Sequence, residues 1–122
     1  MNTFDITTDE LRAAIPQMQV GDRVLLSGTI YTSRDAAHKE LTRLLDENAA
    51  LPFDLKDAVI YYAGPTPGHD GCAVGSCGPT TSSRMDGFAP RLYHLGLAAT
   101  IGKGERSEDV INAIQETGSV YF

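Results

Sequence analysis

The sequence predicts one α/β domain. Two observations carry that expectation: stretches suited to strands alternate with amphipathic stretches suited to helices, and 122 residues suffice for one core but not for two. Hydrophobic residues make up 42% and charged residues 21%, a balance that buries a core and does not fit a disordered chain.

The elements follow in order. Thr8, followed by Asp9 and Glu10, reads as an N-cap with an acidic first turn, opening a short helix that stops before Pro16. Gly21-Asp22 turns the chain into a strand over residues 23–30. Ser33 reads as the cap of a helix reaching about Asn48, with Ala37, Leu41, Leu44 and Leu45 as its apolar stripe. Residues 58–63 read as a buried strand, and the Gly- and Pro-rich residues 64–71 as a loop. A short strand is expected over 72–75, then a helix entered through 78–83 with the stripe Met85, Phe88, Leu92 and Leu95. Pro90 is expected to bend that helix and Gly96 to end it. A strand over 97–101, a helix capped by Ser107 and running to about Gln115, and a terminal strand over 119–122 after Gly118 complete the reading.

The net charge of -6 leaves no basic excess to neutralise phosphates, which excludes nucleic acid and anionic membrane as bulk partners. No apolar run approaches the ~18 residues of a membrane span. Residues 1–14 carry Asp5, Asp9 and Glu10 and no basic apolar leader, so a cytoplasmic protein is expected. Cys72 and Cys77 lack further ligands to complete a zinc set and read as reduced thiols, a disulfide or a metal role being the alternatives. No residue is assigned to a metal.

Three basic residues share an address just after a strand and at or before a helix start: Arg34, Arg84 and Lys103. A cation there opposes the helix dipole by ~0.3–1 kcal/mol, so stability alone would favour Asp or Glu. Free N–H groups at helix starts bind anions, and ligands of open α/β sheets gather beyond the carboxyl ends of the strands. Arg adds a planar fork that grips a carboxylate through two hydrogen bonds. Together these features describe a site for a small polycarboxylate; the alternative for each Arg is a solvated surface charge.

The densest cluster is Gly78-Pro79-Thr80-Thr81-Ser82-Ser83-Arg84. Its consecutive hydroxyls exceed what one N-cap requires, although a cap with solvent-facing neighbours is the plain alternative. If Thr80 and Arg84 lie on the first helical turns, their spacing puts them on one face, where the cation favours a deprotonated hydroxyl. His38 reads as structural or solvated, His69 and His94 as exposed. Asp35 and Asp86 are either partners that orient an Arg or surface groups. Gly102-Lys103-Gly104 is too common a pattern to signal phosphate binding. No self-contained nucleophile, base and orienter emerges: the chain supplies binding and proton-transfer groups but no electrophile.

Gly21-Asp22-Arg23-Val24-Leu25-Leu26-Ser27-Gly28, followed by Tyr31-Thr32-Ser33-Arg34-Asp35-Ala36-Ala37-His38-Lys39, resembles the opening of the β part of class I fumarate hydratases and L(+)-tartrate dehydratases. Ile60-Tyr61-Tyr62-Ala63-Gly64-Pro65-Thr66-Pro67 resembles the next block, Gly75-Ser76-Cys77-Gly78-Pro79-Thr80-Thr81-Ser82-Ser83-Arg84-Met85-Asp86 the most specific one, and Ile101-Gly102-Lys103-Gly104 a fourth. The resemblance implies a swivelling β/β/α domain over residues 1–122 that docks on a larger α subunit. That α subunit is implied to hold a 4Fe–4S cluster whose open iron acts as a Lewis acid, none being bound by this chain. By position, Thr80 would be the base that removes the C3 proton of malate and Arg84 would hold a carboxylate and favour the alkoxide. Arg34 and Lys103 would bind the rest of the dicarboxylate. The family's β region normally continues beyond a segment like Val120-Tyr121-Phe122, so an incomplete form of the domain, inactive alone, is expected. Hydration of fumarate to (S)-malate is the leading reading. Tartrate dehydration and a non-catalytic carboxylate-binding or docking domain are the alternatives, and self-association stays open.

Overall fold

The computed structural model describes residues 1–122, and its first element is a strand absent from the expectations above. β1 (Thr3–Thr7) carries only Phe4 and Ile6 as inward-facing apolar residues, too short an alternation to stand out in the sequence. α1 (Thr8–Ala14) follows directly, and its cap is Thr7, not Thr8. The Thr7 backbone N–H and hydroxyl both donate to the Glu10 carboxylate, at 2.9 and 3.0 Å.

β2 (Arg23–Ser27) pairs in parallel with β1. The strand expected over 23–30 is cut at Gly28, whose φ of +121° and close approach to the Thr8 side chain exclude a Cβ. Beyond this break the chain leaves one sheet and enters another as β3 (Tyr31–Thr32).

A four-stranded parallel sheet then forms in chain order: β3, β4 (Val59–Tyr61), β5 (Ala99–Ile101) and β6 (Val120–Tyr121). Its connections carry α2 (Asp35–Asp46), α3 (Ala89–His94) and α4 (Glu108–Thr117). Successive parallel neighbours joined by crossovers of one hand place these helices on one face. Ile60 and Tyr62 point into that side, packing with Met85, Ala89, Leu92, Tyr93, Leu97 and Val110. Val59, one residue out of phase, points to the other side with Leu11, Ala98 and Ala99, against Ile6, Ile15 and Leu26 of the two-stranded layer. The β/β/α layering implied by the resemblance is the one observed, within the α/β class. Burial on both faces explains why β4 reads as an unbroken apolar run and why β5 carries a single polar residue, the buried Thr100.

Arg12 fastens the layers together. Its guanidinium donates to the carbonyls of Gly96 and Leu97 beyond α3 and of Thr117 and Gly118 at the end of α4, at 2.9–3.2 Å, and to Asp57 at 3.0 Å. Thr117 ends α4 and Gly118 caps it, so their carbonyls are ones that a helix C-terminus leaves without intrahelical donors.

Several local expectations are corrected. Ser33 does not cap α2; its hydroxyl bonds His38 Nδ1 at 2.7 Å, and α2 starts without a side-chain cap. The strand expected over 72–75 is a single antiparallel bridge, Pro67 to Val74, within an irregular arm. Pro90 begins α3 and does not bend it, because a 3-10 turn (Ser82–Met85) precedes a separate helix. Ser107 caps α4 as expected, accepting from the Val110 N–H at 3.4 Å.

Candidate functional site

The four residues singled out above all stand at the carboxyl edge of the four-stranded sheet, where β3, β4 and β5 end. Backbone hydrogen bonds fix their segments to one another. The Ser33 N–H donates to the Tyr61 carbonyl at 3.0 Å, bringing Arg34 beside the end of β4. The Thr80 N–H donates to the Tyr62 carbonyl at 2.8 Å, and the Tyr62 N–H donates to Ile101 at 2.8 Å. Thr81 bridges in parallel to Lys103, whose carbonyl accepts the Ser82 N–H at 2.9 Å. The Thr80 and Lys103 segments are thus stitched together directly.

Arg34 and Arg84 line one cleft with Thr32, Ser33, Gly64 and Pro65. The Arg34 guanidinium lies flat against Gly64, so close that a Cβ at that position would overlap it. Arg84 donates to Asp35 at 2.5 Å across the cleft mouth, a half-exposed pair that orients the fork more than it stabilises the fold. Thr80 is half-buried, and Lys103 is exposed on its loop. Neither lines the cleft around Arg34; both stand on the adjoining strand ends. An apolar hollow bounded by Leu45, Leu51, Phe53 and Leu95 contains none of these residues.

Two premises change. Thr80 and Arg84 do not share a helix face, since Thr80 precedes the 3-10 turn on extended chain. The N–H groups of Thr80 and Ser82 are consumed by carbonyls, so any anion is gripped by side chains, not by a helix start. Of the hydroxyl run, Ser82 is fully buried and bonds the Tyr121 hydroxyl at 2.8 Å, a structural role.

Beneath the site lies a residue that sequence reasoning missed. The Arg106 side chain is 2% exposed and pairs with Asp86 at 2.8 Å. It also donates to Thr100 at 3.1 Å and to the Tyr62 phenol at 3.0 Å, and lies over the Tyr62 and Tyr121 rings. Burial raises the Tyr62 phenol above its ordinary value, and the Arg106 cation works against that shift. Arg106 stands in Gly104-Glu105-Arg106-Ser107, which looks like a polar loop; the only hint was Asp86, a candidate orienting carboxylate.

His38 is also buried. Its Nδ1 bonds Ser33 and the Arg34 carbonyl at 2.9 Å, while Nε2 has no partner beside the Tyr62 and Phe88 rings. Burial holds its pKa below the usual imidazole value. His69 and His94 are exposed as expected.

A family model described as Fumarase C-terminus matches residues 1–122. The chain belongs to this family. Over 115 residues the fumarase C-terminal domain seen here is 40% identical to fumarate hydratase 2 of Leishmania major, covering 93% of this chain and 20% of that protein. It is 41% identical over 114 residues to the aerobic class I fumarate hydratase of Escherichia coli K12, covering 93% and 21%. Against a putative L(+)-tartrate dehydratase subunit beta of Methanocaldococcus jannaschii it is 38% identical over 111 residues, covering 88% and 57%. The chain therefore spans about a fifth of the hydratases and somewhat over half of the dehydratase subunit.

Class I fumarases are iron–sulfur enzymes. Cys72 and Cys77 are exposed on the arm, and no three His, Cys, Asp or Glu side chains converge as a metal site. The residues of this chain do not fit an iron–sulfur cluster.

Proposed function

We propose that this fumarase C-terminal domain is the β part of a hydro-lyase that interconverts fumarate and (S)-malate. In this reading its cleft binds a dicarboxylate, and an α subunit of the class I type completes the site. The observation that carries the reading is the family match over the whole chain, with Arg34, Thr80, Arg84 and Lys103 gathered at one sheet edge. The net charge of -6 makes local convergence of cations the only means of holding a dianion.

In the dehydration direction Arg34 takes one carboxylate through its fork, and Lys103 neutralises the other end. Arg84, aimed by Asp35, faces the same cleft. Thr80, as the base, takes the C3 proton while the C2 hydroxyl leaves with its bonding pair. A threonine serves as base only in its deprotonated form, which neighbouring cations favour. An iron–sulfur cluster carried by the α subunit would supply the Lewis acid for the leaving hydroxyl. That placement is supported by the exposed Cys72 and Cys77, which have no convergent ligands beside them. A cytoplasmic setting, in which Cys72 and Cys77 stay reduced, is part of the same proposal.

The similarity to the putative tartrate dehydratase subunit supports a second reading, L(+)-tartrate dehydration with the same groups in the same roles. Anaerobic assembly of the chain with its α subunit, assayed with fumarate and with L(+)-tartrate, separates the two. Thr80→Ala is expected to abolish turnover while circular dichroism stays that of the parent. Retention of most of the activity would remove Thr80 from the mechanism. Binding of dicarboxylate without turnover of either compound would leave a docking domain.

A further inference from the structure

We infer that Arg106 is a positioning residue of the hydro-lyase site, holding the Thr80 and Lys103 segments in register from below without touching substrate. The inference rests on the functional reading above for what is positioned, but its geometric basis is independent. Every segment that carries a site residue on this side meets the Arg106 guanidinium, or a group bonded to it. Asp86 follows Arg84 by two residues, and its two oxygens accept from Arg106 at 2.8 Å and from the Ser107 N–H at 2.7 Å. Tyr62 accepts from Arg106 through its phenol and holds the Thr80 N–H through its carbonyl. Tyr121, under the guanidinium, bonds both Ser82 and the Gly104 carbonyl at 2.8 Å. The loop bearing Lys103 is thus tied at both sides, by Thr81 and Ser82 in the strand-end bridge and by Tyr121 at Gly104.

Stability alone does not account for this arrangement. Buried ion pairs are often replaced by apolar side chains without loss, because desolvation cancels the attraction. What a guanidinium bonded through all three of its nitrogens adds is direction: a planar fork, two aromatic rings and a carboxylate fix the angles of the groups around it. Lysine in its place keeps the charge and loses the fork.

The test is made on the chain assembled with its α subunit under anaerobic conditions, with Arg106→Lys, Tyr62→Phe and, as a destabilised control, Leu55→Ala. Leu55 lies in the same helical-side core but has no bond to these segments. For Arg106→Lys, kcat is expected to fall about tenfold to hundredfold, the loss typical of a small misplacement of reacting groups. KM should rise by a smaller factor than kcat falls, because the Lys103 end of the substrate is loosened while Arg34 is untouched. Tyr62→Phe deletes one acceptor but keeps the ring, and should lower kcat about threefold to tenfold; it keeps the test open if Arg106→Lys does not fold. Leu55→Ala should lower Tm and leave kcat within about twofold. A second readout needs no activity: amide hydrogen exchange at Thr80 and Ser82 should accelerate at least about tenfold in Arg106→Lys, and not selectively in Leu55→Ala. Equal kcat losses in Arg106→Lys and Leu55→Ala, or unchanged exchange at Thr80 and Ser82, would overturn the inference. A parent assembly inert toward both fumarate and L(+)-tartrate would instead sink the functional reading, with the exchange result still deciding the positioning.

Discussion

Gly64→Ala tests the cleft without removing a charge. The Gly64 backbone has no left-handed φ, so alanine is compatible with its conformation. The added methyl group, however, occupies the place where the Arg34 guanidinium rests. Arg34 is exposed, and its far end swings away at little cost, so stability should change by less than about 0.5 kcal/mol. The cost falls on binding. A carboxylate gripped by a guanidinium contributes about 1.5–3 kcal/mol, so displacing the fork should raise KM about tenfold to 150-fold. The measurement is steady-state kinetics of the assembled enzyme beside a thermal melt of the chain. Arg34→Met gives the reference, and the double variant should be no worse than Arg34→Met alone, since both changes remove the same contact. An unchanged KM in Gly64→Ala, with an unchanged melt, would refute the assignment of Arg34 to the substrate.

Arg12→Met keeps the aliphatic stem but strips the clamp from both helix ends; at roughly 0.5 kcal/mol per bond it should cost about 2–3 kcal/mol. That corresponds to a fall in Tm of about 10 °C, and a fall below about 3 °C would show that water replaces the clamp. His38 predicts a pH effect of defined sign. Its pKa is lowered in the folded state, so the unfolded chain takes up a proton first as pH drops below about 6.5. Stability should be level above that pH and decline below it, down to the folded pKa. Urea titrations at pH 7.5 and 5.5 check this: His38→Phe should flatten the slope in that window, whereas Glu10 and Asp22, held low by backbone N–H groups, act only at more acidic pH.

The alternation of elements was legible because β4, β5, α2 and α4 carry strong local patterns. β1 was not, since two apolar residues in five are no pattern by themselves and its pairing with β2 is decided at a distance. Gly28 hid the change of sheet within a run of strand-forming residues. Arg34, Arg84 and Lys103 stood out because cations after strands oppose local stability. Arg106 did not, because nothing in a sequence distinguishes a buried polar residue with its partners from a solvated one. Those partners come from Tyr62, Asp86 and Thr100, separated along the chain and joined only by the fold.

Every strand pairing in the named sheets is parallel, which has a kinetic consequence. Parallel neighbours cannot be joined by a tight turn, so no two-strand nucleus can close from adjacent residues. Each pairing must wait until an intervening segment has been gathered up. Refolding of this chain from urea should therefore be slow for its length, with contact order, not overall stability, setting the pace.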